Sequence, residues 1–290
     1  APLCVIFENT NTQSKDYENL KVLLRPNHAD YPAAIKFKGF NDIRGGGHFS
    51  GRITLALTFA GAVATDILEE KGIKIFSHIK KILDIKDKSF LEFKEGDIDK
   101  FKNLKESSLA FIEDDLEIKA KELLEKIKLS GNSVGGEIEC ACYNLPVGLG
   151  SPFFDSLESK ISHLAFSVPA VKGIQFGIGF DFSNILGSEA NDLYYLEDDK
   201  IKTKTNNNGG ILGGLSTGMP LVFSVVIKPT PSISIEQETV NIKEMKNDIL
   251  KISGRHDACI VPRVMPVIEA ITALAILDEI CLLYTSPSPR

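Results

Sequence analysis

Arg44-Gly45-Gly46-Gly47-His48-Phe49-Ser50-Gly51-Arg52 runs straight into Ile53–Glu70, where Leu57, Ala60, Ala64, Ile67 and Leu68 recur at helical spacing until Gly72 closes the pattern. The stretch reads as a glycine loop opening onto a helix N-terminus, where unpaired backbone N–H groups favour an anion. Three consecutive glycines permit positive φ and a close approach of backbone to ligand. Arg44 and Arg52 flank them with guanidiniums able to grip phosphate or carboxylate through paired donors. Just upstream, Arg25-Pro-Asn-His-Ala-Asp-Tyr-Pro32 adds a third arginine and His28. The expected ligand is anionic. No Lys-Ser/Thr follows the glycines, so this is not a nucleoside-triphosphate loop.

Outward from this loop, Leu116–Ile127 carries Leu116, Ala120, Leu123, Leu124 and Ile127 on one helical face. Val134–Tyr143, Val171–Phe180 and Leu221–Ile227 are short β-branched and aromatic runs that predict strands, with a helix over Phe153–Phe166 between two of them. A further helix is predicted near Pro266–Ile280. Asp84–Ser108 is the most charged and least periodic stretch and reads as a variable surface insert. Strands and helices alternate without regular βαβ spacing, so the expected class is α+β and not a doubly wound sheet. Residues 1–280 read as one domain. The chain opens without Met in an apolar, strand-like run, which suggests missing upstream residues. Residues 281–290, ending Tyr284-Thr-Ser-Pro-Ser-Pro-Arg290, read as a non-native tail.

With 290 residues, 43% of them hydrophobic, the chain can bury a substantial core. A net charge of −6 argues against a nucleic-acid partner and makes the arginine cluster a local anion site instead of a basic face. Five cysteines without a CxxC pair fit neither a disulfide framework nor a metal site, so no metal is expected and a reducing cytoplasm is. No apolar run approaches the roughly 20 residues of a membrane span, so no membrane is expected.

Other segments carry chemistry only in combination. Asn206–Gly214 is a second polar glycine loop able to offer amides to a planar polar ligand, or a plain hairpin connection. Lys228-Pro-Thr-Pro-Ser232 holds one lysine and one hydroxyl in a set direction, or merely leaves an edge strand. Arg255-His-Asp257 precedes an apolar stretch that Asp257 could cap. His48 beside Ser50 invites a hydrolase reading, but there is no G-x-S-x-G elbow. His78 and His163 sit among apolar neighbours and read as structural.

Taken in order, these blocks resemble the chorismate synthases over roughly residues 1 to 280. The resemblance is carried by the His28 block, the Gly45 loop, Leu145-Pro-Val-Gly-Leu-Gly150, Ser167-Val-Pro-Ala-Val-Lys-Gly173, Gly187-Ser-Glu-Ala-Asn-Asp192, Asn206–Gly214, Lys228–Ser232 and Arg255-His-Asp-Ala-Cys-Ile-Val-Pro-Arg263. It implies a 1,4-elimination of phosphate from 5-enolpyruvylshikimate 3-phosphate to give chorismate, with reduced FMN as cofactor. It also implies a homotetramer whose subunits have a β-α-β sandwich core of mixed sheets with helices. By position, Arg25, Arg52 and Arg255 would hold substrate anions. Ser50, Gly51, Asn207, Asn208, Lys228, Ser232, Arg255 and His256 would line the FMN site, with Ser50 between flavin and substrate. His28 would act as an acid toward the flavin, and Asp257 would take a proton from flavin N5. His48 stands where many members carry Arg. The family's Gly-Glu-Ser-His-Gly motif is absent, so the chain is expected to be an inactive fragment lacking a second acid. The alternative is a non-catalytic flavin- or anion-binding module of the same fold.

Overall fold

The computed structural model describes residues 3–8, 22–42, 44–93, 95–252 and 257–285. A short helix α1 (Asp30–Lys36) precedes two 3₁₀ turns, Arg44–Phe49 and Gly51–Ile53, which lead into the long helix α2 (Thr54–Glu70). Strands β1 (Lys74–Ile82) and β2 (Ile85–Lys86) follow, then 3₁₀ segments at Phe90–Glu92 and Glu95–Glu106, helix α3 (Asp114–Leu129), β3 (Gly136–Tyr143), α4 (Leu157–Ser167) and β4 (Val171–Phe176). Next come α5 (Gly187–Ala190) and the hairpins β5–β6 (Tyr194–Glu197, Lys200–Thr203) and β7–β8 (Ile211–Leu212, Leu215–Ser216). Strand β9 (Leu221–Ile227), the hairpin β10–β11 (Gln237–Asn241, Lys246–Leu250) and α6 (Val261–Thr285) complete the order.

The central sheet runs β2-β1-β3-β9-β4, each neighbour antiparallel, so the expected α+β class holds. Adjacent strand residues point to opposite faces, and the cross-strand pairs Ser77↔Cys140 and His78↔Glu139 show what each face meets. Ser77 donates to Glu269 and Cys140 meets Thr272, both on α6. Helix α4 packs beside α6, and α2 lies along α6 where Gly61 admits the Ala270 backbone. By length and composition alone, Gly51–Glu70 is long and apolar enough for a membrane span, a property that core helices of soluble proteins share. Its Ala64 and Leu68 are buried, while Leu55, Phe59, Val63 and Ile67 form an exposed apolar face.

The opposite sheet face is covered by residues 84–113, which corrects the reading of Asp84–Ser108 as a surface insert. Phe90 and Phe101 are fully buried and interlock with Phe76 and Tyr143, the Phe90–Phe101 centroids lying 4.9 Å apart edge to face. The segment hides its role because 3₁₀ turns show neither a 3.6- nor a 2-residue period, and its charges pair outward, as in Lys100–Asp97 and Lys102–Asp99.

His78 lies under this cover with the Phe90 ring edge to face against it at 4.6 Å, but its hydrogen-bond partners are charged. Its Nδ1 is 3.0 Å from Asp87 and its Nε2 is 3.1 Å from Glu139, all three side chains being fully buried. Ionised carboxylates only accept, so both ring nitrogens must donate and His78 is an imidazolium. Lys80 adds a 2.6 Å bond to Glu139 and lies 4.0 Å from Glu137. Burial disfavours the His78 charge, but bonds to Asp87 and Glu139 outweigh it and raise its pKa above the ordinary 6.5. Burial likewise opposes the Glu139 charge, yet His78 and Lys80 bring its pKa down from 4.5 to about 2. His163, by contrast, is exposed on α4, and its apolar neighbours in sequence enclose nothing.

The raised His78 contributes stability that is complete below about pH 6.5 and is lost as pH climbs through its native value. The depressed Glu139 contributes above about pH 4.5 and loses this as pH falls toward 2. Stability is therefore expected to peak between these limits. His78→Gln should cost about 3–5 kcal/mol by leaving buried carboxylates uncompensated, and should flatten the alkaline fall. Denaturant melts across pH check this, and an unchanged alkaline limb would contradict it.

Candidate active site

The turn before α1 is built around Asp30. One carboxylate oxygen accepts the Arg25 backbone N–H at 3.0 Å and Nε at 2.8 Å; the other accepts Arg25 Nη2 at 2.7 Å and faces His28 Nδ1 at 2.6 Å. Partial burial opposes the Asp30 charge, but bonds from Arg25 and His28 outweigh it and hold the carboxyl well below the usual carboxylate range. Asn27 makes the turn possible with φ of 58°, a left-handed conformation that asparagine tolerates better than most residues. Its carbonyl accepts the Lys228 ammonium at 2.6 Å, which ties the exit of β9 to the turn. Burial, and secondarily Lys172, lowers the Lys228 pKa below the ordinary lysine value.

Across from this turn, Ser50 caps the second 3₁₀ turn by accepting the Arg52 amide at 3.2 Å, and Thr54 donates back to Gly51 at 2.6 Å. Gly47 has φ of 50° and a backbone so close to Asp42 that a Cβ would stand 2.7 Å from its carbonyl oxygen. The glycine run is thus a structural necessity at that position and not only a flexible turn.

Between these walls lies a cleft of about 680 Å³. Its polar lining brings together Arg25, His28, Ser50, Gly51, Arg52, Lys228 and Ser232, all singled out in the sequence, and also His48. The rest of the lining is largely apolar and includes Val168, Pro169, Ile260, Val264 and Val267. Thr230 also lines it, and among the described residues its buried Oγ1 has no hydrogen-bond partner.

The remaining expected residues fall elsewhere. Arg255 and His256 lie outside the described residues. Asp257 is not an N-cap, because α6 begins at Val261; its carboxylate instead accepts Arg263 Nη1 at 2.8 Å. Arg263 itself lines the cleft. It had no assigned role in the sequence, though a lone base in the apolar run Cys259–Ile268 was a usable signal. Asn207 and Asn208 do not line the cleft of their own chain. Asp192 accepts both their amides, at 2.7 and 3.0 Å, plus Asn208 Nδ2 and the Thr205 hydroxyl, while Asn207 Nδ2 donates to the Glu189 and Ala190 carbonyls.

A family model described as chorismate synthase matches residues 1–281. This chain belongs to the chorismate synthase family. The chorismate synthase of Pyrococcus abyssi is 43% identical over 282 residues, covering 96% of this chain and 76% of the relative. That of Dehalococcoides mccartyi is 44% identical over 278 residues, covering 96% and 75%. A crystal structure of chorismate synthase superposes with a TM-score of 0.72 at 27% identity, covering 89% of this chain and 71% of that one. The chain is accordingly a phosphate-eliminating carbon–oxygen lyase of the shikimate pathway, in aromatic amino acid biosynthesis. The fold expected from the resemblance is the fold observed.

Because the Asp192 carboxylate accepts the Asn207 and Asn208 amides, Asp192→Ala should speed hydrogen exchange at those two amides on the order of tenfold or more while leaving β9 protected. Unchanged exchange would show that the loop is held by other contacts.

Proposed function

We propose that the cleft is the catalytic centre, taking 5-enolpyruvylshikimate 3-phosphate together with reduced FMN. The observation that carries this reading is the convergence of His28, Ser50, Arg52, Lys228 and Ser232 from distant parts of the sequence on one pocket with an apolar wall. The lining fits a flat aromatic phosphate: Val168, Pro169, Ile260, Val264 and Val267 suit a ring system, while Lys228, Ser232 and the unpartnered Thr230 hydroxyl suit anionic oxygens. When bound, reduced FMN supplies the transient electron density that lets a phosphate leave without net redox change.

The chain's own residues do the rest. Arg52, and Arg25 through the Nη1 that Asp30 leaves over, bind substrate carboxylates or phosphate, as does Arg255. Arg263 adds a cation that the sequence reading did not assign. Ser50 stands at the mouth of the α2 turn between the two ligands. His28 presents Nε2 as the proton donor, since Nδ1 is committed to Asp30. Asp257 is the proton acceptor, and Arg255 and His256 are assigned to the cofactor by their place in the family pattern. Asn207 and Asn208, hydrogen-bonded to Asp192 and absent from the lining of their own cleft, are assigned to the cofactor of a neighbouring copy in a homotetramer. The exposed apolar face of α2 and the exposed Tyr194, Leu196 and Ile201 of the β5–β6 hairpin support such assembly. A cytoplasmic location follows the odd cysteine count.

Asp257→Asn and His28→Ala should each lower chorismate formation on the order of 10²-fold with the melting temperature nearly unchanged. The check is turnover with reduced FMN alongside thermal melts. Retained turnover would return either residue to a structural role.

A further inference from the structure

Asp30 belongs to none of the roles above, yet it touches more of the cleft's machinery than any residue assigned to it. The bland account is a first-turn acid favouring the start of α1. The contacts say otherwise: α1 has seven residues, its N-cap is Ala29, and the Asp30 carboxylate points back across the turn to Arg25 and His28. The three side chains are shielded together, at 11%, 7% and 15% exposure for Asp30, Arg25 and His28.

We propose that Asp30 is the positioning residue of this cleft, fixing His28 with its proton on Nδ1 and Nε2 toward the ligand while locking the Arg25 guanidinium at Nε and Nη2. The inference rests on the assignment of His28 as the acid. An ionised carboxylate can only accept, so the neutral ring opposite it must donate from Nδ1. When the ring is cationic the same oxygen stabilises the charge. After Nε2 gives up its proton, the ring is left in the tautomer that Asp30 already holds, so no rotation is needed to take up another. Arg25 is clamped through two of its donors, which leaves Nη1 as the group that meets an anion.

Asparagine breaks this arrangement in a defined way. The oxygen next to the Arg25 amide and Nε accepts two N–H groups, so the amide oxygen of Asp30→Asn takes that place. The amide nitrogen then faces His28 Nδ1 and Arg25 Nη2 as a donor. It repels the guanidinium and favours Nδ1 as an acceptor, which moves the ring proton to Nε2.

The test reads the tautomer directly, by ¹⁵N NMR of histidine-labelled protein with the ring neutral, the His28 signals being assigned by their loss in His28→Gln. The unmodified protein should carry the proton on Nδ1, and Asp30→Asn should transfer it to Nε2. Turnover in Asp30→Asn should fall on the order of 10–100-fold, the scale for losing the orienting partner of a functional histidine. An Nε2–H tautomer in the unmodified protein, or an Nδ1–H tautomer persisting in Asp30→Asn, overturns the proposal. If Asp30→Asn fails to fold, the spectrum of the unmodified protein decides alone. Since the tautomer is read without flavin or substrate, a correct tautomer with normal His28→Ala turnover would refute the acid role and leave the positioning geometry standing.

Discussion

Gly61 of α2 passes so close to Ala270 of α6 that a single methyl group at position 61 would fall inside the Ala270 backbone. That contact sets how the two longest helices lie against each other, and each carries one wall of the cleft at its N-terminal end. The turn Ser50–Ile53 feeds α2, while Ile260, Arg263, Val264 and Val267 stand at the start of α6. Packed interiors transmit displacement because they have little free volume, so a change in helix spacing moves both walls together. Helix α6 in turn is fixed to the sheet through Ser77–Glu269 and Cys140–Thr272, which ties the cleft to the core strands.

Charge is handled differently on the two sides of the sheet. Under residues 84–113, the fully buried His78, Asp87 and Glu139 pair with one another and with Lys80, whose side chain is 12% exposed and also approaches Glu137 at 4.0 Å. In the cleft the compensation is deliberately incomplete. Asp30 answers one guanidinium and one imidazole, but among the described residues Arg52, Lys228 and Arg263 have one carboxylate facing them, Asp257 at Arg263. The surplus is positive and local in a chain whose net charge is −6. A site of this kind attracts an anion without making the protein a general polyanion binder.

Much of this was legible in the sequence because local rules governed it. The helix over Ile53–Glu70 appears at Thr54–Glu70, that over Leu116–Ile127 at Asp114–Leu129, and the strand Leu221–Ile227 is observed with the same limits. The glycine loop stood out by residue type, whereas His28 and Lys228 gained their roles only through the family resemblance. What was hidden depended on tertiary contact. The burial of Phe90 and Phe101 has no periodic signature, the charge network of His78 joins residues 61 positions apart, and Asp192's hold on the Asn207 loop is a matter of geometry. Nothing in the sequence around Gly61 marks its contact with Ala270, 209 positions away. Asp30 was visible as part of a motif, but only its contacts reveal that it organises two other members.

The most direct measurement is hydrogen exchange by mass spectrometry with and without FMN and 5-enolpyruvylshikimate 3-phosphate under reducing conditions. The account predicts added protection in peptides covering residues 26–30, 47–54, 167–170 and 228–232, the segments that wall the cleft, with the His78 network unaffected. Protection confined to other surfaces, with these four segments exchanging as before, would contradict it.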